Sequence, residues 1–186
     1  IKQVLDDDGL FVVQLSYTPT MLMGLQFDNI LSEHVFYYSF FNLKNLLEKN
    51  GFKVLDCQLN SCNGGSFRVF AMKQKGNEKL FGDQAYRDIA QVRINSLLEF
   101  EKNLKLDQVD TWKKFKIDID DLKEKTVSFI RQAKREGKRV AALGASTKGN
   151  TLLQYFGLTS DDIEGIVERN PDKVGLLAVG SNIKII

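Results

Sequence analysis

The sequence has 186 residues, of which 43% are hydrophobic, 27% charged and 10% aromatic, a composition typical of folded rather than disordered chains. Its 26 Lys and Arg residues nearly balance its 24 Asp and Glu residues, so the formal charge of +2 gives no reason to expect nucleic acid or an anionic membrane as a partner. No apolar run approaches the roughly 20 residues that span a bilayer, and two cysteines with one histidine cannot supply the four ligands of a zinc finger.

The first segment is predicted to contain a strand, a loop and a helix, followed by two further strands. The apolar run at residues 10–15 predicts a strand that is buried on both faces, and residues 16–25 are predicted to be a loop. Ser39 begins a helical period that ends at Asn50 and Gly51.

The next two strands are predicted to pair. Residues 52–59 and 66–73 have strand patterns, and the glycine turn at residues 63–65 lies between them. A short link of this kind predicts an antiparallel pair.

The middle of the chain is predicted to be helical, because residues 78–136 contain no proline and only one glycine, Gly82. Apolar residues recur at helical spacing in two stretches of this segment. The sequence predicts a connection between the two helices at residues 106–117, with Asp118 or Asp120 as the cap of the second helix.

The last segment has the pattern of a parallel βαβ unit. Residues 139–146 are predicted to form a strand, residues 147–156 a helix, and residues 163–171 a second strand that runs into a turn. Residues 183–186 are predicted to lie in another strand.

The only histidine, His34, is a candidate general base. It follows Glu33, whose carboxylate can fix the tautomer of the imidazole or raise its basicity. Taken alone, the position fits a structural histidine as well as a catalytic one.

The loop at residues 144–150, GASTKGN, is a candidate phosphate site. Small residues between a strand and a helix let backbone N–H groups approach an anion, and Lys148 adds a positive charge. The loop matches neither the Walker A motif nor G-x-G-x-x-G, although Glu168 follows Gly144 at about the distance of a ribose-binding acid. A tight turn without a ligand fits the loop equally well.

Together these segments resemble the sugar C-methyltransferase family. The matching segments are FDNILSEHVFYYS (27–39), NGGSFRVFA (63–71), ALGASTKGNTLLQYFG (142–157) and VERNPDKVG (167–175), in this order over nearly the whole chain. Members of this family transfer a methyl group from S-adenosylmethionine to a carbon of a nucleotide-linked keto-sugar. The resemblance therefore implies S-adenosylmethionine as cofactor and a nucleotide-diphosphate sugar as partner, without nucleic acid or membrane, and it leaves the oligomeric state open.

The family has a zinc-binding N-terminal region, a class I methyltransferase domain and a C-terminal Rossmann-like domain. Residues 1–76 resemble the second half of the methyltransferase domain, with its fifth strand and closing antiparallel hairpin. Residues 77–136 are predicted to be a helical connection, and residues 137–186 a truncated Rossmann-like domain. The fold class is therefore α/β. The family's acidic glycine-rich cofactor loop and zinc cysteines are absent from the sequence, so we expect them, and any zinc, in a longer cytoplasmic protein.

The resemblance also implies roles for individual residues. Methylation next to a ketone needs a base that removes a proton, after which the enolate attacks the sulfonium methyl group. His34 is implied as the base, Glu33 as the group that orients it, and Tyr37 as a hydrogen-bond partner of the sugar or enolate oxygen. The implied substrate-binding residues are Ser66, Arg68, Ser146, Lys148, Asn150 and Glu168.

One pair of positions departs from the family pattern, which usually has Tyr and His immediately before the Glu-His pair. Here these positions are Leu31 and Ser32, and a leucine cannot donate a hydrogen bond to an enolate. A non-catalytic nucleotide-sugar binding module is therefore the alternative function. A dehydrogenase-like dinucleotide domain is a third possibility, suggested only by the Gly144 loop and Glu168.

Overall fold

The computed structural model describes residues 1–186, and they divide into two compact units. Unit 1 comprises Ile1–Gln26 and Phe36–Trp112, and unit 2 comprises Phe27–Val35 and Lys113–Ile186. The domain boundaries expected near residues 76 and 136 stay a prediction. None of the helices combines the length and apolar character needed to cross a membrane.

Unit 1 is built on an antiparallel sheet of three strands, β1 (Leu10–Ser16), β2 (Phe52–Asn60) and β3 (Ser66–Lys73). Their order in the sheet is β1-β3-β2. The predicted antiparallel pairing of β2 with β3 is confirmed. The expectation that β1 is buried on both faces is wrong, because β1 is an edge strand whose alternate residues, Leu10 and Val12 among them, face solvent.

Two helices of unit 1 lie between β1 and β2 in the chain. Helix α1 (Thr18–Met23) replaces the predicted loop, because Pro19 in its first turn has the backbone angle that a helix start requires. Helix α2 (Phe40–Lys49) begins after Ser39, as predicted, and the Ser39 hydroxyl accepts a hydrogen bond from the Asn42 N–H.

The core of unit 1 lies against the sheet and includes residues from α2 and α3 (Gln84–Leu104). Its buried members are Tyr17, Phe40, Leu43, Leu47, Phe52, Cys57, Phe67, Val69, Ala71 and Ile94. The central strand β3 contributes alternate residues, in agreement with its predicted pattern.

Helix α4 (Val109–Arg135) begins earlier than predicted. The expected connection at residues 106–117 is wrong, since Phe115 is already a buried residue of the helix. Asp118 and Asp120 lie inside α4, so neither is its cap. Instead, each forms an ion pair with the lysine one turn earlier.

Unit 2 contains the predicted βαβ unit. Strand β4 (Ala142–Leu143) pairs in parallel with β5 (Ile166–Val167), and α5 (Thr147–Phe156) connects them with the predicted bounds. The regular strands are much shorter than predicted. Ile185 forms a parallel bridge to Ile166, which supports the predicted extended segment at residues 183–186.

Candidate functional site

The imidazole of His34 is oriented by the main chain of unit 2. Its Nδ1 lies 2.8 Å from the carbonyl oxygen of Asn29. Because a carbonyl oxygen only accepts hydrogen bonds, Nδ1 carries the hydrogen, and in the neutral ring the lone pair lies on Nε2. The side chain is exposed. His34 therefore presents Nε2 as its basic nitrogen.

Glu33 lies beside His34 and is also exposed. Its carboxylate accepts a hydrogen bond from the Ser32 hydroxyl at 3.1 Å. The resemblance implied that Glu33 orients the imidazole of His34. In the structure the Asn29 carbonyl makes an orienting contact of this kind. The part of Glu33 in orienting the base stays a prediction.

A cavity of about 510 Å³ lies between the loop before His34 and helix α5. Phe27 anchors the start of this loop, because its ring packs 5.0 Å from Tyr155 and 5.5 Å from Phe156, measured between centroids. The lining residues are Ile30, Leu31, Ser32, Glu33, Thr147, Thr151, Gln154 and Tyr155. The neighbours of the candidate base and the first turns of α5 therefore line one cavity.

The N-terminus of α5 has the features expected of an anion-binding helix end. Ser146 caps it by accepting a hydrogen bond from the Gly149 N–H at 3.0 Å, so the Ser146 hydroxyl stabilises the helix. Lys148 lies in the first turn and is partly exposed. The Asn150 Oδ1 atom is buried without a hydrogen-bond partner, and an acceptor of this kind suits a hydroxyl or N–H group of a ligand.

Glu168 follows β5 and binds main-chain groups. Its carboxylate accepts hydrogen bonds from the N–H groups of Ala145 at 2.8 Å, Arg169 at 2.7 Å and Asn170 at 3.1 Å. These bonds hold the pKa of Glu168 below its usual value. Its predicted part in substrate binding stays a prediction.

The other three predicted site residues belong to unit 1. Ser66 is buried, and its hydroxyl donates to the Cys62 carbonyl at 2.9 Å, which shapes the turn before β3. The exposed Arg68 donates from Nε and Nη2 to Gln14 at 3.0 and 2.9 Å. Tyr37 is 38% exposed. The predicted site residues therefore fall into two sets. Unit 1 holds these three, and unit 2 holds Glu33, His34, Ser146, Lys148, Asn150 and Glu168.

Comparison with known proteins decides the family. Residues 61–186 match the family described as the C-methyltransferase C-terminal domain. The chain belongs to the C-methyltransferase family. C-methyltransferase NovU from Streptomyces niveus is 29% identical to it over 185 residues, which cover 100% of this chain and 42% of NovU. The resemblance stated from the sequence is confirmed, and the chain spans less than half the length of this C-methyltransferase.

Membership of the C-methyltransferase family suggests S-adenosylmethionine as cofactor, but the glycine turn between β2 and β3 does not fit this group. The glycine turn between β2 and β3 is filled by the chain itself, since a Cβ atom at Gly65 would collide with Thr20 and one at Gly64 would lie 2.8 Å from Gln26. A turn packed in this way leaves no cradle for a cofactor. No group of three or more His, Cys, Asp or Glu side chains is placed to hold a metal ion either.

Sequence reasoning missed four cavity residues on α5, namely Thr147, Thr151, Gln154 and Tyr155. Thr147, Thr151 and Gln154 follow one another at separations of four and three, which places them on one helix face. The Gln154 amide nitrogen donates to the Val179 carbonyl at 2.9 Å, which fixes the side chain. This spacing was visible in the sequence, but only the fold shows that the face lines a cavity.

Proposed function

We propose that the chain is the substrate-binding and proton-abstracting part of a C-methyltransferase that acts on a nucleotide-linked keto-sugar. The cavity in unit 2 is the observation that carries this proposal, because the loop next to His34 and the start of α5 share it. Its volume lies within the range of small-molecule sites. A ligand with a diphosphate at one end and a ketone near the other matches this arrangement. The diphosphate would lie at the start of α5, and the ketone would lie near His34.

The base step uses His34. Its Nε2 removes a proton from the carbon next to the ketone, and the electron pair of the broken C–H bond moves to the ketone oxygen as an enolate. The proton stays on the imidazole, whose Nδ1–H remains bonded to the Asn29 carbonyl. S-adenosylmethionine supplies the methyl group in the family, and we assign no residue of this chain to hold it.

The diphosphate is proposed to lie at the N-terminus of α5. The N–H groups at the start of the helix carry partial positive charge, and Lys148 adds a full charge beside them. Asn150 is proposed to contact the same ligand, since its buried Oδ1 lacks a donor.

A nucleotide-sugar binding module without catalysis is the second candidate, and Leu31 favours it. Leu31 lines the cavity with an apolar side chain, so it gives an enolate oxygen no hydrogen bond. Ser32 is the only hydroxyl residue among residues 30–33. Both candidates share the ligand and differ in whether His34 removes a proton.

Calorimetric titration with a thymidine-diphosphate-linked 4-keto-6-deoxyhexose tests the shared ligand. We expect the chain to bind it, and we expect Lys148→Met to weaken binding about tenfold through loss of a charge-assisted phosphate contact. Lys138→Met is the matched control, because Lys138 pairs with Glu136 at 2.6 Å and lies outside the cavity. Absence of binding by the unmodified chain contradicts the proposed function.

A further inference from the structure

The Ala145 main chain is held on both sides by charged residues that follow β5. Its N–H donates to Glu168 Oε2 at 2.8 Å, and its carbonyl oxygen accepts from Lys173 Nζ at 2.8 Å. The two charged groups also lie 3.9 Å apart. Two side chains from one turn therefore hold successive peptide groups of another loop.

The same carboxylate also shapes its own turn. Glu168 Oε1 accepts the N–H groups of Arg169 at 2.7 Å and Asn170 at 3.1 Å, and the side chain is only 15% exposed. Both oxygens are thus engaged with the main chain. A carboxylate in this state has little remaining capacity to accept hydrogen bonds from a ligand.

Holding Ala145 also fixes the start of α5. Ala145 directly precedes Ser146, the N-cap, and Gly144 before it has φ = +89°, which glycine adopts readily. The Gly144 N–H donates to the Val167 carbonyl of β5 at 2.8 Å. The residues that lead into α5 are therefore attached one after another to the end of β5 and its following turn.

We infer that Glu168 and Lys173 are positioning residues, which hold the Ala145 peptide so that the first turn of α5 can bind a diphosphate. This inference rests on the proposed function and extends it. It gives Glu168 a different part from that of a ribose-binding acid, because the carboxylate acts on the loop and not on the ligand.

Whether replacing Glu168 weakens or strengthens anion binding distinguishes a positioning role from a simple charge effect. Glu168→Ala removes a negative charge near the proposed anion site, which by Coulomb's law strengthens anion binding. Loss of positioning weakens it instead. We expect Glu168→Ala to bind both inorganic pyrophosphate and thymidine diphosphate at least fivefold more weakly in calorimetric titrations.

Amide hydrogen exchange tests the positioning contact without any ligand. We expect the Ala145 amide to exchange at least tenfold faster in Glu168→Ala, and faster also in Lys173→Met, which loses the donor to the Ala145 carbonyl. Glu168→Gln keeps one acceptor oxygen and provides a milder variant if Glu168→Ala fails to fold. Glu164→Ala is the matched control, since Glu164 pairs with the exposed Arg139 and should leave exchange and binding unchanged.

Different outcomes overturn different claims. Unchanged Ala145 exchange in the Glu168 variants overturns the positioning role, as does unchanged or tighter binding of pyrophosphate. Weaker binding of thymidine diphosphate alone also overturns it, because that pattern indicates a direct contact with the nucleoside. If the unmodified chain binds neither probe, the proposed function fails. The link between positioning and diphosphate binding then fails as well, whatever the exchange rate of the Ala145 amide.

Discussion

Asp56 has no exposed surface and still keeps its charge. The Arg93 guanidinium donates to both carboxylate oxygens at 2.8 and 2.7 Å, and Gln58 and Tyr86 donate to Oδ2 at 2.7 and 3.0 Å. Burial by itself raises the pKa of Asp56, but these hydrogen bonds outweigh burial and the pKa lies below its usual value. The group joins strand β2 to helix α3 by a charged contact.

Replacing this carboxylate should destabilise unit 1. We expect Asp56→Asn to lower the free energy of unfolding by about 3 kcal/mol at pH 7, because it leaves the Arg93 charge without its partner. The folded pKa of Asp56 lies below its unfolded value of about 3.9, so its stabilisation is present above about pH 4 and is lost as the pH falls through the folded value. Urea unfolding from pH 7 to pH 3 measures both effects.

The matched control for this prediction is Asp118→Asn. Asp118 forms an exposed ion pair with Lys114 at 2.8 Å, so its loss should change the free energy of unfolding by less than about 0.5 kcal/mol. The difference between Asp56→Asn and the unmodified chain should shrink below pH 4. A difference that stays constant down to pH 3, or one no larger than the control, contradicts this account.

Helix α2 depends on a residue from another helix. Glu101 of α3 is 5% exposed, and its two carboxylate oxygens accept the N–H groups of Phe40 at 2.6 Å and Phe41 at 2.8 Å. A negative charge at this position also interacts favourably with the helix dipole. Ser39 and Glu101 together satisfy the first N–H groups of α2.

Glu101→Gln should therefore weaken the docking of α2. The amide offers one acceptor oxygen where the carboxylate offers two, so the N–H of either Phe40 or Phe41 loses its acceptor, and we expect a loss of about 1–3 kcal/mol in the free energy of unfolding. Urea unfolding measures this loss. Glu99→Gln, an exposed position on the same helix, is the control and should have almost no effect. Equal stability of the two variants contradicts the role given to Glu101.

Elements set by local signals could be predicted from the sequence, whereas those set by distant partners could not. The bounds of α5 were predictable because Ser146 and Gly157 are local capping signals. The exposed face of β1 depends on its position at the sheet edge, and no pattern within the strand indicates that position. The Glu101 contact with α2 joins residues 61 positions apart, so no local pattern reveals it.

The candidate site was predictable in its residue types but not in its contacts. Lys148 and Asn150 lie on α5 as expected, and His34 belongs to the same unit. The sequence could not show that Asn29 orients His34, because that contact uses a main-chain carbonyl. Nor could it show that the Glu168 carboxylate faces backbone N–H groups.

At the scale of the whole molecule, the chain corresponds to 42% of the length of NovU and has two compact units. The residues proposed to bind the diphosphate and to remove the proton all lie in unit 2. Proton removal next to a ketone does not require the methyl donor. The proposed proton removal by His34 can therefore be measured on this chain alone.

The most direct measurement is deuterium incorporation from D₂O into the carbon next to the ketone of a thymidine-diphosphate-linked 4-keto-6-deoxyhexose, followed by NMR or mass spectrometry. We expect the chain to accelerate exchange above the buffer rate, and His34→Asn to reduce that acceleration about 100-fold while binding the ligand with unchanged affinity. Exchange at the buffer rate in a chain that binds the ligand, or full acceleration by His34→Asn, contradicts the assignment of His34 as the base.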